Sequence, residues 1–279
     1  MSTAALPAMG LDELGRGSLA YRAKWWLSDA WVITLRNLRR VRSQPDILVS
    51  ITLQPIMFIV LFRYVFGGAI GQSISGGDYA QFLMPGIFLQ SIVFSSIFTT
   101  GTGVADDMKR GVIDRFRSLP ISRSSVLLGR TVADVGLNAI SVAVMIIVGL
   151  LVGFRFEGGF VGAVLGLSMM LFFGFAFSWL AAWLGLVVPS IESVQTVGFM
   201  FVFPLTFASS AFAPAETMPG WLQAFVNHNP FTYAVDTIRA WFNGSEAGSD
   251  AWWALGWAVA ILLVFMALSV RTFRRATTK

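Results

Sequence analysis

The chain has no cysteine and a single histidine, His228, in 279 residues. The first absence excludes disulfides and thiolate chemistry, and the second leaves no histidine cluster for a metal site. Charge is also scarce, at 13% of residues, against roughly a quarter in an average soluble domain. A chain so poor in charge cannot clothe a globular surface. No G-x-x-x-x-G-K-[ST] segment occurs, so the chain carries no phosphate-cradling loop of its own. What it does have is apolar: 56% hydrophobic residues, with 25 Phe and 10 Trp, and a mean hydropathy of +0.71. That is the composition of a membrane protein. The net charge of +5 then reflects basic residues gathered on cytoplasmic loops, and no nucleic-acid partner is expected.

Residues 1–20 read as a mobile cytoplasmic tail without the plan of a signal peptide. Across residues 21–42, Leu27, Trp31, Leu35, Leu38 and Val41 recur at helical spacing among arginines, which predicts an amphipathic helix in the headgroup layer. Six apolar segments follow within a transmembrane domain at 43–279: Ile47–Phe66, Phe82–Val104, Ser125–Gly153, Val161–Val188, Ser193–Phe212 and Trp252–Val270. Each approaches or exceeds the ~20 residues a bilayer requires. Pro55 predicts a kink in the first, where Arg63 would snorkel to the headgroups. Gly162 and Gly166 in the fourth have the small-xxx-small spacing of close helix packing. Between the fifth and sixth spans, residues 213–242 are broken by Pro214, Pro219 and Pro230 into two short amphipathic pieces, with Trp221, Asn229, Tyr233 and Arg239. Neither piece can span. The expected fold is an all-α membrane protein with six transmembrane helices, an N-terminal interfacial helix, and short re-entrant or outer helices before the sixth span.

Charge sets the expected sidedness. Seven basic residues precede the first span (Arg16, Arg22, Lys24, Arg36, Arg39, Arg40, Arg42), five lie in the stretch 105–123 (Lys109, Arg110, Arg115, Arg117, Arg123), and four close the chain (Arg271, Arg274, Arg275, Lys279). The first-to-second connection has none, and the other two outer connections have one each, Arg155 and Arg239. By the positive-inside rule both termini and the stretch 105–123 are cytoplasmic. In the third span Arg130, Asp134 and Asn138 lie four residues apart, a polar stripe with an Arg–Asp pair in reach. Ionisable groups there must be paired or face the protein interior. The stripe reads as a cytoplasmic vestibule lining, a partner contact, or simply a helix end projecting into the cytosol.

Gly111, then Asp114-Arg115-Phe116-Arg117-Ser118-Leu119-Pro120 and Arg123, resembles the cytoplasmic loop of ABC exporter permeases of the drug-resistance branch, the daunorubicin/doxorubicin type. A second block, Phe212-Ala213-Pro214 through Met218-Pro219-Gly220-Trp221-Leu222, Asn229-Pro230-Phe231-Thr232-Tyr233-Ala234 and Arg239, is similar to that family's region between the fifth and sixth spans. This chain has Lys109 where many relatives carry Glu, and Asp114 where others carry Glu. The resemblance implies a permease in a bacterial plasma membrane that works with a separate nucleotide-binding subunit. That subunit would hold ATP and Mg, and this chain would hold no cofactor. A second permease chain, identical or different, would complete the exporter. The loop carrying Lys109, Arg110, Gly111, Asp114, Arg115, Phe116, Arg117, Leu119, Pro120 and Arg123 would receive the ATPase stroke, and the short helices would close the outer end of the path.

The aromatic-rich, charge-poor spans suit an apolar or amphipathic substrate (drug, antibiotic or lipid) better than an inorganic ion. The same architecture could export a polysaccharide or lipid-linked glycan, and an ATP-independent channel or secondary transporter is a further alternative. A membrane enzyme lacks support: His228 is isolated, and Asp134 has an arginine close by.

Overall fold

The computed structural model describes residues 45–70, 79–110, 123–188 and 190–276. The expected tail and interfacial helix, residues 71–78 and most of the charged loop, 111–122, lie outside the described residues. Helices and short connections make up everything described, with no strand among the described residues. α1 (Pro45–Val60) runs through Pro55 and passes into a π-helical turn, Leu61–Phe66, which holds Arg63, and a last turn, Gly67–Ile70. α2 (Tyr79–Ser96) continues through a π-helical turn, Ile97–Gly101, into α3 (Thr102–Lys109). Then come α4 (Arg123–Val152), α5 (Gly159–Val187) and α6 (Ile191–Phe207). A 3-10 turn, Ala215–Thr217, leads to the short α7 (Gly220–Val226) and α8 (Pro230–Phe242), and α9 (Asp250–Ala276) follows.

Four of these helical runs are long and apolar enough to cross a membrane: Tyr79–Lys109, Leu127–Val152, Gly159–Val187 and Asp250–Phe273; Thr52–Val65 and Ile191–Phe207 are shorter apolar helices. Several boundaries differ from the sequence reading, the last helix for one running past Val270 to Ala276. The second apolar helix does not stop at Val104 but runs on to Lys109, because Asp106 and Arg110 pair along it at one-turn spacing, Nε to Oδ1 2.8 Å, and suit its water-facing end. The fifth ends at Phe207 instead of Phe212, for a reason given below.

α2 forms the centre of the bundle. Leu83, Met84, Ile87, Phe88, Leu89, Ile92 and Val93 are all buried, and α2 packs against α1, α4, α5, α6 and α8. A helix apolar all round is what a central position demands. α5 packs along α9 and α8, and its glycines make that approach close. A Cβ on Gly162 would land on the carbonyl oxygen of Trp241, and one on Gly166 on the ring of Phe242. The spacing read from the sequence therefore serves packing against α8, where Phe242 also sits edge-on to Phe154 and Phe156. Overpacking of this kind typically costs 1–3 kcal/mol. Gly162→Ala is expected near the upper end, about 3 kcal/mol, because a backbone carbonyl cannot turn aside. Gly166→Ala is expected nearer 1 kcal/mol, because a ring can. Thermal unfolding of the two variants in one detergent checks this order.

Candidate functional site

Two polar clusters meet the α2–α3 helical path, one from its middle toward the charged loop and one at its start. In the first, Asp134 of α4 is 2% exposed and Asn138 1%. Ser96 donates to Asp134 Oδ2 at 2.9 Å and the Asn138 amide at 3.3 Å, with Thr99 and Ser178 donating as well. Each hydroxyl comes from a face where a small polar residue meets α4, two from the second span and one from α5. Asp134 and Asn138 thus face the interior of the bundle, not a vestibule or the cytosol. The reason is that neighbouring helices supply three donors for one carboxylate and Asn138, one turn along α4, supplies a fourth. Arg130 forms an ion pair with Asp107 of α3, and a Cβ on Gly103 would collide with its guanidinium. Gly103 therefore leaves the passage through which Arg130 crosses to the neighbouring helix.

Ser96, Thr99 and Ser178 also point at the carbonyls one turn back, at 3.1, 2.8 and 3.1 Å, so each keeps an acceptor if the carboxylate is removed. Asn138 has no such reserve, since its Oδ1 already lacks a partner. Asp134→Asn is expected to cost about 1 kcal/mol and Asp134→Leu about 2–3, the second leaving a buried amide unpartnered at both ends. Thermal unfolding of both variants separates them.

Of the loop residues, Lys109 ends α3, the exposed Arg110 caps it, and Arg123 opens α4. Gly111, Asp114, Arg115, Phe116, Arg117, Leu119 and Pro120 lie outside the described residues. What is visible is the frame: the two helices bordering the loop, joined across it by Arg130 and Asp107.

The second cluster joins the short helices to the bundle. Asn229 is buried; its amide nitrogen donates to the carbonyls of Leu205 and Ala208, both at 2.7 Å, while its Oδ1 accepts from the Phe231 N–H at 2.9 Å. One side chain therefore caps the start of α8 and the end of α6, with Pro230 at the first helical position, where its missing N–H costs nothing. Arg239 donates to the carbonyls of Phe82 (2.9 Å) and Ser210 (2.8 Å), pairs with Asp236, and lies 3.8 Å over the Phe82 ring. Ser210 donates to Asp236 at 2.7 Å, and the Tyr79 hydroxyl to the Phe212 carbonyl at 3.3 Å. Burial pushes the Asp236 carboxyl up, against the pull of Arg239 and Ser210, and pushes the Arg239 guanidinium down. With side chains serving the backbone of 208–212, that segment needs no helix, which is why α6 ends at Phe207. Gly86 makes room for it: a Cβ there would stand 2.6 Å from the Ala211 carbonyl oxygen.

The remaining residues singled out between 213 and 242 have simpler places. Pro214 caps the 3-10 turn, Pro219 caps α7, Trp221 is exposed, and Tyr233 stacks on Trp253 at 6.0 Å. His228 Nδ1 lies 2.9 Å from the Ala224 carbonyl, a local contact, and no metal-holding group of side chains occurs among the described residues.

Sequence reasoning missed Ser96, Thr99, Ser178 and Asp107 in one cluster, and Tyr79, Gln81, Ser210 and Asp236 at or beside the other. Asp236 was open to discovery, three residues before Arg239 on one helix face. Gln81 was not: its amide bridges the backbone of Arg155 (2.8 and 2.7 Å) and the Asn243 side chain (3.3 Å), partners far away in sequence.

The family model described as ABC-2 type transporter matches residues 28–243. The chain is 37% identical to the daunorubicin resistance ABC transporter permease protein DrrB1 of Streptomyces coeruleorubidus, over 86% of this chain and 83% of that one. It is 27% identical to the doxorubicin resistance ABC transporter permease protein DrrC of Mycobacterium tuberculosis, over 92% of each. A transport permease of Cyanophora paradoxa, ycf38, is 24% identical over 90% of this chain and 89% of its own. A helical chain with apolar spans, two short helices pinned by Asn229 and Arg239, and a family match across most of its length lead to one conclusion: the protein belongs to the ABC-2 type transporter family.

Proposed function

We propose that this chain is the membrane subunit of an ATP-driven exporter that moves an apolar or amphipathic drug-like molecule out of the cell or its inner leaflet. The observation that carries this is the 37% identity, over most of both chains, to a permease named for daunorubicin resistance. Six spans, both termini in the cytoplasm and an interfacial helix at 21–42 complete the arrangement, in the plasma membrane of a bacterium. A separate nucleotide-binding subunit supplies ATP hydrolysis, and a second permease chain, identical or different, faces this one. Residues 105–123 receive the ATPase stroke. The pairing of Arg130 with Asp107 supports that role, because it makes the helices on either side of the loop move together. The cluster around Asn229 and Arg239 closes the outer end.

The test is accumulation of daunorubicin in a sensitive bacterium expressing this chain alone, with its ATPase subunit, or with an ATPase lacking the phosphate-loop lysine. Export lowers accumulation only in the second strain. Equal accumulation in all three would sink the drug reading, and efflux by the chain alone would replace it with an ATP-independent transporter.

A further inference from the structure

α6 and α9 stand apart from one another, each packed against α5. Between them lies a furrow of about 290 Å³, with Leu180 and Leu184 of α5 as its floor and Phe201, Ile261 and Phe265 along its walls. Leu180 and Leu184, like Ile261 and Phe265, are one helical turn apart, so the furrow runs along the helices and not into the bundle. Pro230, at the start of α8, closes one end. The other end runs toward the last turns of α5 and α9, where Leu186 and Phe273 share an apolar cluster. All eleven lining residues are apolar or aromatic, with no charge, hydroxyl or amide among their side chains. Such a space does not hold water, and within a bilayer it is filled by hydrocarbon.

We propose that the furrow seats one acyl chain of an anionic phospholipid whose phosphate is held by Arg271 and Arg275. The binding does not depend on the export proposed above; that this end of the bundle lies in the cytoplasmic leaflet belongs to that reading. The charge complementarity follows from where α9 places its residues. Ser269 donates to the Trp179 carbonyl of α5 at 3.1 Å and so marks the side of α9 turned to the bundle. Going round the helix from Ser269, the next positions are Phe265, Ile261, Arg275 and Arg271, each about 40° further on. The two arginines therefore lie beyond the furrow, on its lipid side. Both are exposed, and neither meets a carboxylate among the described residues. They stand about 9 and 15 Å along the helix from Phe265 at 1.5 Å per residue, the step from the tail region to the headgroups in a leaflet whose hydrocarbon is about 15 Å deep. Guanidinium groups suit a phosphate, which accepts two parallel N–H bonds from each. A cationic amphiphile would be repelled by the same pair.

The experiment titrates the full chain, purified in detergent, with palmitoyl-oleoyl phosphatidylglycerol or phosphatidylcholine and reads bound lipid by native mass spectrometry. The wild-type chain is expected to bind phosphatidylglycerol about tenfold more tightly, between what one and two basic side chains near an anionic headgroup supply. Arg271→Gln and Arg275→Gln each lower that ratio, and together they bring it close to one. Arg155→Gln, between α4 and α5 at the opposite end of the bundle, makes the same change in net charge and keeps the ratio. Ile261→Trp fills the furrow from α9 and weakens both lipids together. Leu180→Phe does the same from α5 and decides the matter if Ile261→Trp fails to fold. A wild-type ratio of one, a ratio lowered equally by Arg155→Gln, or affinities unmoved by both filling substitutions overturns the proposal. The last result, joined to a dimer that Ile261→Trp breaks up, assigns the furrow to a second copy of the chain. A ratio of one alongside intact daunorubicin efflux rejects the lipid site and leaves export standing. A tenfold ratio without efflux rejects export and leaves the lipid site.

Discussion

Arg239→Ala is expected to destabilise the chain by about 2–3 kcal/mol, below the roughly 3–5 kcal/mol for removing one partner of a fully buried ion pair, because the Asp236 side chain stays 32% exposed. Thermal unfolding in detergent and the amount of folded protein in membranes would both register it. Two losses add. Asp236 stays in its partly buried place without its cation, and the carbonyls of Phe82 and Ser210 each lose a charged donor. Those carbonyls belong to different elements, the first turn of α2 and the segment after α6, so the guanidinium holds three pieces of chain at once. Lysine does not replace it. An ammonium can satisfy one or two of these partners but cannot spread planar donors over all three while lying on the Phe82 ring. Arg239→Lys should therefore recover less than half of the loss.

Removing both ions tests the explanation. If most of the cost is the stranded carboxylate, Arg239→Met combined with Asp236→Leu should be more stable than Arg239→Met alone. If most of it is the two carbonyls, the second substitution should bring back little. A recovery of at least 1 kcal/mol assigns the larger share to Asp236.

How far each feature could be read ahead depended on how local its cause is. Proline breaks at Pro214, Pro219 and Pro230 are local, and so are the short helices between them. The Gly162/Gly166 spacing is local as well and gave the packing face, though not its partner α8. Asp134 shows where this fails. Its stripe with Arg130 and Asn138 is visible along one helix, yet its surroundings are set by Ser96, Thr99 and Ser178, single hydroxyls on other helices that look like ordinary membrane-helix residues. The end of α6 failed for a similar reason. Residues 208–212 hold no proline or glycine to break a helix, and the side chains of Asn229, Arg239 and Tyr79, arriving from elsewhere, allow the backbone to leave the helix there.

Charge reversal in the loop should do the opposite of Arg239→Ala: leave the fold alone and stop the work. Arg115→Glu and Arg117→Glu are each expected to lower daunorubicin efflux by about tenfold or more, with co-purifying ATPase subunit falling in parallel and membrane level and unfolding temperature unchanged. Close charge pairs across an interface are worth roughly 1.5–7 kcal/mol when measured by cycles, and reversal turns attraction into repulsion. The frame explains why so small a contact could matter. Arg130 and Asp107 tie α3 to α4, and α4 has 30 residues, about 45 Å at 1.5 Å each, longer than the ~30 Å hydrocarbon core. A push on the loop then reaches two helices that are already coupled. Arg110→Glu provides the contrast. Among the described residues Arg110 pairs with Asp106 on the same helix, an exposed contact of little worth, so association should fall much less than with Arg117→Glu. If all three reversals weaken association equally, the loop acts by net charge alone. If Arg115→Glu and Arg117→Glu leave efflux and association intact, these are solvated cytoplasmic charges, and the ATPase contact must be sought elsewhere on the chain.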